Sequence, residues 1–173
     1  METVFLLQVS VSLIFFLNKL LLLVEKKSGW LVGAIAALLA LIYFYIIGLY
    51  VYTVLEIGLV ALMIYGFVVK TKVPRIERLI NILIIVLMFA LMIFSFSGML
   101  TVYELISSAT LLLGTYYLSH SRLMLGWCLY IVAHFLATIV GFSKHQLFFA
   151  NFQIASVIVS MVAVYVLKNI KSR

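Results

Sequence analysis

Seven apolar stretches follow one another along the chain, each near the twenty or so residues that a helix needs to cross a bilayer. They cover residues 4–24, 29–47, 50–69, 78–97, 100–119, 123–142 and 146–167. Little separates them. The longest break is "KTKVPRIER", residues 70–78, which holds the single proline, Pro74. No water-soluble domain fits into breaks this short. Composition agrees, because 67% hydrophobic and 10% charged residues, with a mean hydropathy of +1.32, are far too apolar for a soluble fold of this length. The expectation is an all-α integral membrane protein in contact with a lipid bilayer.

Charge asymmetry tests the division into seven. If the spans alternate in direction, one side receives Lys26, Lys27, Lys70, Lys72, Arg75, Arg78, Arg122, Lys168, Lys171 and Arg173, and the other only Lys144. Cytoplasmic loops carry excess Lys and Arg. The amino terminus is therefore expected outside and the carboxyl terminus in the cytoplasm, with the chain in the cell inner (plasma) membrane. Lys19 lies near the inner end of the first span and is expected to snorkel to that surface. The net charge of +7 sits in these short clusters rather than on an aromatic-interleaved surface, so no nucleic-acid partner is expected. "METVFLL" has no basic leader and no small-residue cleavage site follows it, so the first stretch is read as a retained span. Cys128 is the one cysteine, which excludes an intrachain disulfide.

A shift of 97 residues lays "SGWLVGAIAALLALI", from Ser28, over "LGWCLYIVAHFLATI", from Leu125. Gly29 then meets Gly126, Trp30 meets Trp127, and Glu56 falls on Gln153. Spans one to three would correspond to spans five to seven. An odd helix between them gives both triplets the same orientation, a parallel repeat of the kind found in transporters. The expected organisation is one transmembrane domain, 1–173, in a 3+1+3 arrangement: a first three-helix bundle over 1–69, a linker helix over 78–97 and a second bundle over 100–173.

The residues resemble a known family, the PnuC-type vitamin transporters, which share a SWEET-like fold. "KKSGWLVGAIAALLALIYFYIIGLYVYTVLEIGLVALMIYGFV" is similar to that family's first-triplet pattern: Trp and Gly opening helix two, a "GLY" turn, then a helix ending in Tyr-Gly. "ELISSATLLLGTYYLSHSRLMLGWCLYIVAH" is similar to its second, with a polar residue, His134, seven positions after the Trp. The resemblance implies facilitated diffusion of a small water-soluble vitamin, most often nicotinamide riboside, trapped inside by phosphorylation. Thiamine, riboflavin or another nucleoside-like solute is the alternative. It also implies a homo-oligomer, a trimer, and no cofactor.

Helical spacing shows where a pathway could run, since residues three and four apart share a face. Tyr52 and Glu56 do so on helix three, and Phe149, Gln153, Ser156 and Ser160 on helix seven. Trp127, Tyr130, His134 and Thr138 form the stripe of helix six, and Glu104, Ser107, Ser108 and Thr115 lie on helix five. At 1.5 Å per residue, Glu56 and Gln153 are expected roughly 10 Å below the outer surface, with His134 nearer the midplane. The candidate substrate-binding residues are Glu56, Gln153, His134, Tyr52, Tyr130, Trp127 and Glu104.

Such a pocket offers aromatic walls to a flat ring and polar groups to sugar hydroxyls. Stacking on a cationic ring would add roughly 0.5–2 kcal/mol. An unpaired carboxylate in hydrocarbon is costly, so Glu56 is read as a pathway residue before it is read as a helix-to-helix hydrogen bond. His134 is as readily a bridge between helices. Glu104, about one turn from the outer end, is equally readable as an interfacial carboxylate, and Trp30 and Trp127 as anchors near the inner interface. Hinges are expected at Gly33, Gly58, Gly114 or the loops, with the two triplets rocking about a central site.

Catalysis is not expected. His120, His134 and His145 are scattered, without HExxH spacing, and no metal set is expected. A non-transporting membrane partner is the remaining class. The repeat with polar residues at matched depth argues against it.

Overall fold

The computed structural model describes residues 2–24, 26–68, 74–94, 96, 98–120 and 122–171. Among them are seven helices: α1 (Glu2–Leu23), α2 (Ser28–Ile46), α3 (Tyr50–Val68), α4 (Pro74–Phe94), α5 (Met99–Ser119), α6 (Leu123–Ser143) and α7 (Leu147–Lys171). Lys70, Lys72 and Arg173 lie outside the described residues.

Two boundaries differ from the sequence expectation by four residues. α4 starts at Pro74 instead of residue 78. Proline suits the first helical position, where its absent N–H would have no partner anyway and its φ is already helical. Residues 74–78 of the basic stretch are thus helical. α7 runs on to Lys171, past the apolar stretch that ended at 167, because nothing in "KNIK" breaks a helix.

The division between α2 and α3 has a backbone cause. Gly48 adopts φ +76°, the left-handed conformation that glycine takes without strain. The N–H of Leu49 donates to the carbonyl of Phe44 at 2.9 Å and that of Gly48 to Tyr45 at 3.2 Å. This pair of bonds is a Schellman cap. The end of α6 repeats it: Gln146 N–H donates to Gly141 at 2.8 Å and His145 N–H to Phe142 at 3.0 Å. There the left-handed position is held by His145, at φ 55°.

α2 packs between α1 and α3, and α6 between α5 and α7. The two triplets meet along α3–α5 and along α1–α7, and α4 lies against α3 and α5. Small residues bring α2 close to its neighbours, with Gly29, Gly33, Ala34, Ala36, Ala37 and Ala40 all buried.

The distribution of polarity is that of a membrane protein. Large apolar side chains face outward, for example Leu31, Ile35, Leu38 and Ile42 along one face of α2. Polar ones are turned inward: Gln8, Asn18, Lys19, Glu56, Ser107, His134, Gln153 and Ser156 are all buried. Among the described residues, four helices are long and apolar enough to cross a bilayer, Thr3–Leu23, Ser28–Ile46, Leu123–Ser143 and Leu147–Asn169. The apolar part of α3 described here, Tyr50–Tyr65, is shorter. The chain is a multi-pass membrane protein.

Candidate functional site

A cavity lies between the two triplets, lined from every helix except α4. α1 contributes Phe15, Asn18 and Lys19, and α2 contributes Phe44. Tyr52, Glu56, Leu59 and Met63 come from α3, and Ser107 and Thr115 from α5. Tyr130 and His134 come from α6, Phe149 and Gln153 from α7. About 50 Å³ of it is open to the centre of a water-sized sphere, room for a few waters.

Of the candidates read from the sequence, Tyr52, Glu56, Tyr130, His134 and Gln153 line this cavity. Trp127 does not line it. It is buried behind Tyr130, edge to face with that ring at 5.6 Å and 82°. Glu104 does not line it either. It is buried on α5. An open, water-facing carboxylate is therefore not what the fold makes of it.

Local geometry fixes the polar groups. His134 Nδ1–H donates to Gln153 Oε1 at 2.7 Å, joining α6 to α7. Tyr130 lies against His134, ring centroids 5.4 Å apart. Thr115 gives its hydroxyl proton to the Leu111 carbonyl at 2.9 Å and so accepts from Tyr130 Oη at 2.9 Å. Ser107 Oγ donates to the Ala133 carbonyl at 2.8 Å. Against this well-paired background, three buried polar atoms on cavity residues have no hydrogen-bond partner: Tyr52 Oη, Glu56 Oε2 and His134 Nε2. A buried polar group left unpaired costs about 1–3 kcal/mol.

Lys19 overturns an expectation. Instead of snorkelling, it is buried at 5% exposure and donates from Nζ to Ser156 Oγ at 2.8 Å, across the α1–α7 seam. Reaching the surface requires an outward-facing position, and Lys19 is on the inward face of α1. Lys19 and Glu56 line the same cavity. A signal for this was present in the sequence: Gln8, Ser12, Phe15 and Lys19 recur at steps of four, three and four, one helical stripe. Asn18, also on the cavity, donates from Nδ2 to the Gly29 carbonyl at 2.8 Å.

At the end where α1 begins, Gln146 ties the halves together. Its Oε1 accepts from Gln8 Nε2 and from Tyr43 Oη, each at 2.8 Å. Phe44 and Phe149 pack edge to face beneath, at 5.5 Å. Among the described residues no group of three His, Cys, Asp or Glu side chains is placed to hold a metal ion. Comparison with known protein families, curated proteins and solved structures gave no match.

Proposed function

We propose that this multi-pass membrane protein is a transporter, not an enzyme, and that its small water-soluble solute passes through the cavity between the two triplets. One observation carries the reading: Tyr52 Oη, Glu56 Oε2 and His134 Nε2, three buried polar atoms from both halves of the molecule, lack a geometrically formed hydrogen bond and belong to one cavity. They suit a solute that brings hydroxyl, amide or cationic groups of its own. Phe15, Phe44, Tyr52, Tyr130 and Phe149 supply aromatic walls for a flat ring. The resemblance to PnuC-type transporters rests on the residues alone and makes nicotinamide riboside the first candidate, with thiamine, riboflavin and related nucleosides next.

The 97-residue repeat supports alternating access by rocking of two similar halves. Positions it pairs face the same cavity: Asn18 with Thr115, Tyr52 with Phe149, and Glu56 with Gln153. It also pairs Gly48 with His145, the two left-handed cap residues. A vitamin-sized ligand needs a pocket of roughly 300 Å³ or more, so entry widens the space between the triplets. A cationic ring at Glu56 takes over from Lys19, whose ammonium stays on Ser156. Passage is by facilitated diffusion, with phosphorylation on the cytoplasmic side trapping the solute. The amino terminus is outside in this reading, and seven helices span the inner membrane.

The test is uptake into liposomes of nicotinamide riboside, nicotinamide, thiamine, riboflavin and simple nucleosides, alongside thermal shifts in detergent. At least one is expected to be taken up and to stabilise the protein, and Glu56→Gln is expected to lower uptake of a cationic substrate tenfold or so, the effect of about 1.4 kcal/mol. No uptake and no shift with any of them would sink the vitamin reading. Equal uptake by Glu56→Gln would remove charge recognition from that residue.

A further inference from the structure

A second pocket, sharing no lining residue with the cavity, opens where α5 ends and α6 begins. It is lined by Arg78 of α4, by Leu113, Tyr116 and Tyr117 of α5, and by His120 and Arg122 in the turn that follows, and it encloses about 490 Å³. None of these residues lines the cavity between the triplets. Among the described residues that line it there is no carboxylate. Two guanidinium groups, an imidazole and two phenols thus face one space.

The parts are held in place. His120 Nδ1 lies 2.9 Å from the Tyr116 carbonyl and 3.0 Å from Ser119 Oγ. Its ring packs against that of Tyr116 with centroids 4.2 Å apart. The Arg122 guanidinium sits 6.0 Å from the centre of the Tyr117 ring, and the Arg122 N–H donates to the Tyr117 carbonyl at 3.0 Å. Arg78 comes from the second turn of α4. Both arginine side chains are exposed, so they are open to a ligand from outside the bundle. Leu113 lies nearly one turn deeper along α5 than Tyr116 and Tyr117, which puts an apolar wall below the polar rim.

Arginines at a helix end, with tyrosines beside them and an apolar wall below, match the layers of a phospholipid: phosphate, glycerol region, acyl chain. Guanidinium groups bind phosphate oxygens through paired N–H donors. We infer that this pocket binds a phosphate group, presented by the headgroup of an anionic membrane phospholipid. The site is independent of whatever solute the central cavity carries.

The experiment uses the full chain purified in a neutral detergent. Phosphatidylglycerol, phosphatidylcholine and inorganic phosphate are added separately, and thermal stability and bound lipid by native mass spectrometry are read. Phosphatidylglycerol is expected to bind and stabilise, and the other two to do neither. In Arg78→Gln/Arg122→Gln, phosphatidylglycerol affinity is expected to fall about thirtyfold, the loss of two interfacial arginines, with unfolding in lipid-free detergent unchanged. Arg75→Gln/Lys168→Gln removes the same charge outside the pocket and is expected to keep the affinity. Equal binding of phosphatidylcholine would overturn the anionic headgroup as the ligand, and equal losses in the two double variants would overturn the pocket as its site. Protection by inorganic phosphate as strong as by phosphatidylglycerol would overturn the lipid as its source.

Discussion

α2 and α6 hold the same place in their triplets, each packed between two neighbours, yet they treat the cavity differently. Along α2 the buried face is nearly all small, and Gly33 faces Asn18 of α1 and Met63 of α3. A Cβ added at Gly33 would come within 2.6 Å of Asn18 Nδ2 and 2.9 Å of Met63 Sδ. Polar chemistry in that half arrives from α1 and α3, as Asn18, Lys19 and Glu56. In the other half the bulk is on α6, as Tyr130 and His134, and the glycine is on α5: a Cβ at Gly114 would stand 2.6 Å from the Tyr130 ring. The lesson is that close approach of two helices needs one small partner, and whichever helix carries the glycine leaves its neighbour to furnish the cavity.

The largest effect expected from breaking this contrast is at Lys19. Lys19→Met takes a buried cation away from Ser156 and from the cavity it shares with Glu56, an expected loss of roughly 1.5–3 kcal/mol. Thermal unfolding in detergent is expected to show it, and Lys19→Met/Glu56→Gln to recover most of the stability while uptake stays low. A Lys19→Met protein as stable as the parent would mean that the two charges do not support each other.

Gly114 and Gly33 separate the halves next. Gly114→Ala pushes against an aromatic ring and against the Gly126 carbonyl, 3.1 Å away, with an overpacking cost of about 1–3 kcal/mol. Gly33→Ala meets the ends of two flexible side chains and is expected to lose less. The order of the two melting temperatures checks this, and the reverse order would contradict the assignment of bulk to α6.

The smallest effects belong to the caps. Gly48 has open space around it, so Gly48→Ala is expected to cost only backbone strain, about 1 kcal/mol, as the left-handed region does for other residues. His145→Gly relieves the same strain at the equivalent turn and is expected to leave stability unchanged or raise it by up to about 1 kcal/mol. Denaturant or thermal midpoints of the two variants should move in opposite directions.

Much of the plan was legible beforehand. The seven apolar stretches correspond to α1–α7, because an apolar run of about twenty residues satisfies its own backbone in hydrocarbon as a helix; charge asymmetry divided the second run from the third, and the structure shows that Gly48 makes the break. The faces of α3, α6 and α7 were legible through the three-and-four spacing of Tyr52 with Glu56, Tyr130 with His134, and Phe149 with Gln153. Lys19 was misread, because its position near a span end suits both a snorkelling side chain and a buried one, and only the rotation of α1 chooses between them. Trp127 and Glu104 shared helix faces with site residues, yet packing placed one behind Tyr130 and the other beyond the cavity.

By itself, then, the order of residues determined that this chain is helical, membrane-embedded and polar at a few inward positions, since those follow from local composition and the period of the helix. Tertiary structure alone decided which of those positions meet. Lys19 meets Ser156, 137 positions further along the chain, and Arg78 shares a pocket with Arg122. Such meetings depend on how helices rotate and close on one another, which glycine contacts and long-range hydrogen bonds set, and which no local pattern encodes.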